Sequence, residues 1–279
     1  MMIDRKHQKL WGAMLFYVLG SLVAIIILIP FLWMIITSLK SKGTLLSIPI
    51  EWIPKEPSLD AYKKILSLQD FSGSIFNSFY LAITTSLVQI LSASMAAYAF
   101  SKIRFKGREP LFKVYLATMM IPFQVVFIPL FIVMSSMKLT NNLNAFLLLQ
   151  LFNPFAIFML RQKMMTISDS FIEAAIIDGA NQLQIFRRIV LPLTSGILAT
   201  LGVMAFMGSW NDYLFPLVMI SDKKKFTLPL ILSALQGQYS SDYNLLMAGS
   251  LISILPILIV YILAQKYFRS GLQVGGIKG

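Results

Sequence analysis

Cysteine is absent from this sequence, and histidine occurs once, as His7 in a basic N-terminal stretch. Without cysteine there are no disulfide bonds and no thiol chemistry. A lone histidine cannot build a Ser-His-Asp or Cys-His nucleophile set, or a histidine and cysteine metal site. A phosphate-binding Gly-x-x-x-x-Gly-Lys-Ser/Thr loop is also missing. The chain is therefore predicted to be no enzyme by itself, with no metal site and no ATPase motif.

Charge is scarce too, because only 13% of the residues are charged and 57% are hydrophobic. Soluble domains carry about 25% charged residues, so this composition indicates an integral membrane protein. Each of six uncharged runs is as long as a helix that crosses a bilayer, which needs about 20 residues. These runs are 10–39, 71–101, 114–137, 139–160, 189–211 and 243–265. They predict an all-α, polytopic membrane protein with six transmembrane helices.

The basic residues predict an orientation. Segments 1–9, 102–113, 161–188 and 266–279 would lie on one side of the membrane, and they hold 15 of the 24 Lys and Arg residues. Cytoplasmic segments are enriched in these residues, so both termini are expected in the cytoplasm. The net charge of +12 then reflects membrane insertion rather than nucleic-acid binding. The first run exceeds a signal-peptide core in length, so we interpret it as a retained anchor.

Segment 161–188 is long and amphipathic for a loop on that side. Ser168 is a suitable N-cap for a short helix, and Gly179 can end it in the left-handed conformation. A second helix is expected from Asn181, and Pro192 suits the first turn of the fifth span. The pair of helices could lie flat on the inner leaflet or dock in a soluble partner. Docking is favoured because "SDSFIEAAIID" has three acids and no Lys or Arg, which suits an anionic membrane surface poorly.

The stretch "EAAIIDGANQLQIFRRIVLP" resembles the signature loop of ATP-binding-cassette importer permeases. Further stretches, from "NSFYLAITTS" at 77–86 to "GLQVGGIKG" at 271–279, resemble the carbohydrate-uptake branch with its maltose-permease G-type subunits. The resemblance implies half of a type I importer with the MetI-like permease fold, whose coupling helix sits on an ATPase subunit. The coupling positions it implies are Glu173, Ala174, Ala175, Asp178, Gly179, Leu191 and Pro192. In the tail, it implies that Gly275, Gly276 and Lys278 contact the ATPase, and the tail glycines disfavour a preformed helix.

Polar residues in the predicted spans are candidates for lining a substrate path. In the second span, small and polar residues recur on one face, which should meet protein or a cavity. The candidates are Asn77, Thr85, Gln89, Ser92, Gln124, Trp210, Asn211 and Asp212. Trp210 beside an amide and a carboxylate would suit a sugar ring and its hydroxyls. Alternatively, Trp210 is a membrane-interface residue and Asp212 a solvated helix end. The resemblance implies that most substrate contacts lie in the companion permease.

The predicted function is that of a permease subunit in an ATP-driven, binding-protein-dependent importer of an oligosaccharide or disaccharide. A polyol or a glycerol-phosphate-type substrate is the alternative. An ion-gradient-driven transporter is disfavoured, because the six runs contain no ionisable Asp, Glu, Lys, Arg or His. A sodium-driven transporter remains an alternative, because sodium sites can be made of carbonyl and hydroxyl groups alone. A membrane scaffold or receptor would explain the spans but not the coupling helix.

The resemblance also implies a location in the bacterial cytoplasmic membrane, the partners and the division of the chain. The partners are a second, nonidentical permease, two copies of an ABC ATPase and an extracytoplasmic sugar-binding protein. The chain binds no cofactor itself, and ATP and Mg are expected on the ATPase. Residues 1–70 form the N-terminal tail, first span and external segment, and 267–279 form the cytoplasmic tail. Between them, 71–266 are the transmembrane domain with coupling loop 161–191.

Overall fold

The computed structural model describes residues 2–40, 52–239 and 242–272. Within these ranges the chain forms helices and turns without a β-strand, which confirms the all-α class. The helices are α1 (Met2–Ser38), α2 (Asp60–Ser67), α3 (Gln69–Lys102), α4 (Arg108–Ala117), α5 (Phe123–Ser136), α6 (Ala145–Gln150), α7 (Pro154–Met165), α8 (Asp169–Ile177), α9 (Gln182–Ile185), α10 (Leu191–Leu193), α11 (Ser195–Trp210), α12 (Leu214–Met219), α13 (Leu228–Gln238) and α14 (Tyr243–Leu272). Two 3-10 turns, Thr118–Met120 and Lys223–Lys225, and a π-helical turn, Phe186–Val190, complete the list.

Three helices in the described ranges are long and apolar enough to cross a membrane alone, namely Gly12–Ser38, Asp70–Lys102 and Tyr243–Tyr267. Two bent pairs of helices are long and apolar enough only when each pair is taken together. Arg108–Met120 and Phe123–Ser136 meet at 99°, and Gln182–Leu193 and Ser195–Trp210 meet at 80°. Length and composition thus support up to five spans. The fourth predicted run, 139–160, is divided between α6 and α7, and neither helix reaches a span's length.

Prolines and caps explain where these runs break. Pro122 has extended backbone (ψ 135°) and precedes α5, so the third run turns sharply at a residue that cannot donate a backbone hydrogen bond. The fourth run breaks at Asn153, whose side chain caps α7 by accepting from the Ala156 amide at 3.0 Å. Pro154 then occupies the first turn of α7, where its missing N–H costs nothing.

The contacts of the chain divide it into two compact units, the first being Met1–Leu68 with Ala234–Ile252. Polar side chains hold this unit together. Lys64 and Asp242 form an ion pair at 2.6 Å, and the Ser38 and Tyr62 hydroxyls lie 2.7 Å apart. The buried Asn244 amide donates to the backbone carbonyls at the end of α1. The most apolar stretch of α1 has no buried residue, as expected of a helix that meets lipid.

The second unit, Gln69–Ser233 with Ser253–Gly279, is built around α3. This helix packs along α11 and α7 for much of its length. Its buried face continues into one apolar cluster that includes Ala97, Leu160, Ile172, Ile185 and Leu201. Helices α3, α7, α8, α9 and α11 therefore contribute to a single core.

Candidate functional site

Helix α8 forms where the sequence predicts it, between a cap and a glycine. The Ser168 hydroxyl accepts a hydrogen bond from the Ser170 amide at 3.3 Å. Gly179 has φ +78°, the left-handed conformation that glycine adopts most readily. The Gly179 amide donates to the Ile176 carbonyl at 3.0 Å, and the Ala180 amide donates to Ala175 at 2.9 Å. These two bonds are the Schellman arrangement that closes a helix, so α8 has a defined end.

The two faces of α8 differ in what they touch. Ile172 and Ala175, three residues apart, are buried in the core of the second unit. On the other side, Ile177 is 85% exposed and Phe171 is 57% exposed, beside the exposed Glu173. Ala174 and Asp178 are exposed as well. Exposed large apolar side chains on a short, well-capped helix are typical of a surface that binds another protein.

The chain after Gly179 forms a second capped helix and then a bend. Asn181 and Gln184 make a reciprocal capping box, with bonds of 2.9 and 2.8 Å. Helix α9 runs into a π-helical turn in which the Leu191 amide bonds to the Phe186 carbonyl. Pro192 follows, without an amide hydrogen to continue the helix. The predicted positions Leu191 and Pro192 lie in the last turn before the 80° bend, which falls between Leu193 and Ser195. Contrary to the sequence prediction, Pro192 therefore precedes the bend and does not occupy the first turn of α11.

Two residues of α3 reach this part of the chain and were not singled out by the sequence. Lys102 Nζ lies 2.7 Å from the Ile167 carbonyl and 2.6 Å from Asp169 Oδ1. The Tyr98 hydroxyl lies 2.6 Å from Gln182 Oε1. The hydrogen bond and charge of Lys102 lower the pKa of Asp169 below its usual value. We call residues 167–182, which begin and end at these contacts, the coupling segment.

A buried arginine supports the same region from α7. Arg161 is 6% exposed and lies over the Phe112 ring at 4.0 Å. Its guanidinium donates to the Phe100 carbonyl at 3.0 Å and to Glu109 Oε1 at 2.5 Å. The sequence identified Arg161 only as one of many basic residues beside the spans. In the structure it ties the end of α3 and the start of α4 to α7, so its charge is paired and its stem is packed.

Most substrate-path candidates use their polar groups within the protein. Asn77 donates to the Lys224 and Phe226 carbonyls at 2.9 and 3.0 Å. The others with a partner in the fold are Thr85 (Leu81 carbonyl, 2.5 Å), Ser92 (Gln89 carbonyl, 3.2 Å), Asn211 (Met207 carbonyl, 2.9 Å) and Asp212 (Phe215 amide, 3.2 Å). In contrast, the side-chain amides of Gln89 and Gln124 form no hydrogen bond with any residue in the described part of the chain. Gln89 is 6% exposed and lies on the buried face of α3, whereas Gln124 is exposed.

Trp210 is packed rather than presented to a ligand. Its exposure is 0%, and its indole N–H donates to the Ser253 carbonyl at 3.1 Å. The Phe79 ring meets it edge-on at 4.7 Å, and the Phe206 ring stacks on it at 5.8 Å. No face of the indole is open for a sugar ring in this conformation. The burial also argues against the alternative of a membrane-interface tryptophan, because such residues are exposed to lipid and water.

The tail positions Gly275, Gly276 and Lys278 lie outside the described residues. The expectation that glycines prevent a helix in 267–279 is wrong for its first part, since α14 continues through Gly271 to Leu272. One glycine costs a helix about 1 kcal/mol relative to alanine. Extending an existing helix adds a hydrogen bond with each residue, so a long helix can include such a position.

Taken together, these features define a class of protein. Long apolar helices with a capped, partly exposed amphipathic helix between them are features of an integral membrane protein. The chain belongs to the family of binding-protein-dependent transport system inner membrane components, whose model matches residues 89–273. The recognition of an importer permease from its signature loop is thereby confirmed.

Two relatives and one solved structure illustrate the similarity. The arabinooligosaccharides transport system permease protein AraQ of Halalkalibacterium halodurans is 35% identical over 93% of this chain and 94% of its own length. The sulfoquinovosyl glycerol transport system permease protein SmoH of Agrobacterium fabrum is 30% identical over 96% and 95%. A bacterial ABC transporter involved in the import of alginate, an acidic polysaccharide, contains a chain with a TM-score of 0.83. The importer chain is 27% identical to this protein, and the match covers 92% of this protein and 96% of the importer chain.

Proposed function

We propose that this chain is one permease subunit of an ATP-driven, binding-protein-dependent importer of an oligosaccharide or disaccharide. The observation that carries the proposal is α8. Its exposed face, with Ile177 at 85% and Phe171 at 57% exposure, takes no part in the core of the chain, although the helix is capped at both ends. A rigid helix transmits a displacement that a flexible loop would absorb. We therefore assign α8 the role of coupling helix.

The ATPase docks on the exposed face of α8, which carries the signature positions Glu173 and Ala174. The third signature position, Ala175, packs on the core side and holds the helix in place, and Gly179 ends the helix. A cleft beside α8 is lined by Arg104, Arg108 and Glu173 among others, and offers charges of both signs next to the apolar face. ATP and Mg are bound by the ATPase. Closure of the ATPase displaces α8, and the spans then alternate between outward-facing and inward-facing arrangements.

The complete assembly contains two different permeases and two copies of the ATPase, because one coupling helix serves one ATPase subunit. An extracytoplasmic sugar-binding protein delivers the solute. The distribution of Lys and Arg supports cytoplasmic positions for both termini and for α8. The tail residues Gly275, Gly276 and Lys278 make a second contact with the ATPase in this proposal.

The names of the relatives support a carbohydrate as the solute. The similarity to the sulfoquinovosyl glycerol permease favours a second candidate, a glycerol-linked polar glycoside. Among the substrate-path residues, Gln89 is the one on the buried face of α3 whose amide is free of hydrogen bonds within the described ranges. A neutral amide that can both donate and accept suits sugar hydroxyls.

Uptake by the complete complex in vesicles tests the proposal. A panel of labelled oligosaccharides, disaccharides and glycerol-linked glycosides is supplied with the binding protein outside and ATP inside. We expect uptake of at least one sugar that vanadate stops and that a proton or sodium ionophore leaves unchanged. Uptake that the ionophore stops and vanadate does not would overturn the assignment in favour of an ion-driven transporter.

A further inference from the structure

We infer that Lys102 and Tyr98 are positioning residues that fasten α3 to both ends of the coupling segment. A displacement of α8 then moves α3 with it. The inference rests on the proposed function, because it concerns how motion of the coupling helix enters the bundle. It assigns a role to two residues outside the signature loop.

The first contact holds the start of α8. The Lys102 side chain is 5% exposed, and its ammonium lies between the Ile167 carbonyl and Asp169 Oδ1, at 2.7 and 2.6 Å. These two acceptors flank the cap residue Ser168. An ammonium that is shielded from water and bonded on both sides of a cap fixes where the helix begins. A charged partner also makes these hydrogen bonds stronger than neutral ones.

The second contact holds the start of the next helix. Tyr98 lies one turn before Lys102 on the same face of α3, is 5% exposed, and bonds through its hydroxyl to Gln182 at 2.6 Å. Its ring also contacts Phe186 at a centroid distance of 5.2 Å. Thus α8, with the turn that ends it at Gly179, lies between two points of attachment to a single helix.

Hydrogen bonds are needed here because packing alone does not fix the position of α8 along α3. Ile172 and Ala175 bury α8 in the apolar core, but apolar attraction is non-directional. Hydrogen bonds between 2.6 and 2.7 Å long depend on both distance and angle. A helix bound only by its apolar face could slide under load. Helix α8 is also hydrogen-bonded to α3 at its start and, beyond the turn that ends it, through the start of α9, so it carries α3 along.

Helix α3 is also held at its other end. Asn77 donates to the Lys224 and Phe226 carbonyls, and the Ser78 hydroxyl accepts the Leu228 amide at 2.7 Å. With 34 residues, α3 is about 50 Å long. We call Tyr98 and Lys102 the coupling end of α3, and Asn77 and Ser78 its loop end. A shift at the coupling end therefore reaches residues 224–228 through one continuous helix.

The test compares uptake per ATP in complete complexes that carry Lys102→Met or Tyr98→Phe. Each change removes the polar atom and keeps most of the apolar part of the side chain. We expect the number of solute molecules imported per ATP hydrolysed to fall on the order of tenfold in Lys102→Met, within the usual range for coupling between sites. A smaller fall is expected in Tyr98→Phe, and Lys102→Arg should restore most of the ratio.

Two matched changes serve as controls. Lys106→Met removes an exposed lysine four residues further on, and Tyr115→Phe removes a hydroxyl that donates to the Phe152 carbonyl at 2.5 Å. Both should leave the ratio unchanged. If Lys102→Met does not assemble, Tyr98→Phe, which removes one oxygen atom, carries the test alone. An unchanged ratio in the assembled variants would overturn the inference, whereas a wild-type complex without ATP-dependent uptake would overturn the proposed function.

Discussion

At the coupling end of α3, Tyr98 and Lys102 bond to residues at the starts of two other helices, and one of these contacts is an ion pair. At the loop end, Asn77 and Ser78 bond to the backbone of residues 224–228, and every group is neutral. Side-chain partners, Asp169 and Gln182, occur only at the coupling end, whereas Asn77 and Ser78 bond to backbone groups alone. We therefore expect the coupling end to pass on motion and the loop end to hold structure.

The largest effect is expected where the coupling segment itself is changed. In Gly179→Pro, proline cannot adopt φ +78° and has no amide to donate to Ile176. The strain and the lost hydrogen bond together cost the native conformation about 3 kcal/mol, which is about a hundredfold in an equilibrium constant. We therefore expect uptake to fall about a hundredfold while the ATPase still hydrolyses ATP. Uptake and ATP hydrolysis are measured on the same vesicles. Wild-type uptake in this variant would contradict the role of α8.

A matched pair of glycines separates backbone strain from coupling. Gly107 has φ +87°, and neither Gly107 nor Gly179 has an atom that an added Cβ would meet within 4 Å. Alanine at either position should therefore cost a similar 1 to 2 kcal/mol of stability, roughly the penalty of the left-handed conformation. Only Gly179→Ala should lower uptake per ATP. Equal losses of uptake in both variants would mean that strain, and not coupling, is being measured.

The middle of α3, between its two ends, is tested by Gln89→Leu. The substitution keeps the size of the side chain and removes an amide that is free of hydrogen bonds within the described part of the chain. Loss of one hydrogen bond to a sugar, about 1 kcal/mol, should raise the KM for uptake about fivefold. Ser92→Ala is the control, because that hydroxyl already donates to the Gln89 carbonyl. A KM that is unchanged for every transported sugar would remove Gln89 from the path.

The loop end is tested by Ser78→Ala. The Ser78 hydroxyl is the acceptor for the amide of Leu228, which is 0% exposed, so its loss leaves a buried N–H without a partner. We expect the free energy of unfolding to fall by about 1 to 3 kcal/mol, with no change in uptake per ATP. Ser136→Ala, at an exposed hydroxyl, should have almost no effect on unfolding. A fall in uptake per ATP in Ser78→Ala would erase the difference between the two ends.

The smallest effect concerns pH and follows from the charge at the coupling end. Lys102 lowers the pKa of Asp169 below the usual value of about 3.9. The contact therefore stabilises the fold fully above that value and is lost as pH falls through the lowered pKa. The difference in unfolding temperature between wild type and Asp169→Asn should be constant from about pH 5 to 7 and shrink below about pH 4. The loss of unfolding temperature in Ser78→Ala should not change with pH. If the losses in Asp169→Asn and Ser78→Ala changed in parallel with pH, the difference between the two ends of α3 would be contradicted.

Local signals made the coupling helix predictable, because Ser168 and Gly179 mark its ends in the sequence itself. Proline did not predict the bends equally well. Pro30, Pro129 and Pro256 lie inside helices, whereas Pro122 lies at the 99° break. A proline can end a helix, kink it or leave it continuous. Which of these occurs depends on whether neighbouring helices supply hydrogen-bond partners for the backbone groups that proline leaves unpaired. Length and composition of the described helices support up to five spans, and the sixth stays a prediction.

Contacts between distant residues could not be predicted. Lys102 is one of five basic residues in 102–113, and nothing in the local sequence sets it apart from the other four. Its acceptors lie more than 60 residues further along the chain. Its neighbours in sequence made Trp210 a candidate for a sugar contact, with a membrane-interface position as the alternative, but its indole N–H donates to the Ser253 carbonyl inside the fold. Both cases depend on tertiary packing, which periodicity and motifs do not encode.

Cross-linking from Ile177 tests the central claim, that a separate ATPase acts on this chain through α8. The chain contains no cysteine, so Ile177→Cys places a single thiol on the exposed face of α8. Ile25→Cys, on the unburied stretch of α1, is the control. The account predicts a cross-link between Ile177→Cys and the ATPase that stops uptake, and none from Ile25→Cys. An assembled, ATP-hydrolysing complex in which Ile177→Cys forms no cross-link to the ATPase in any nucleotide state would contradict it.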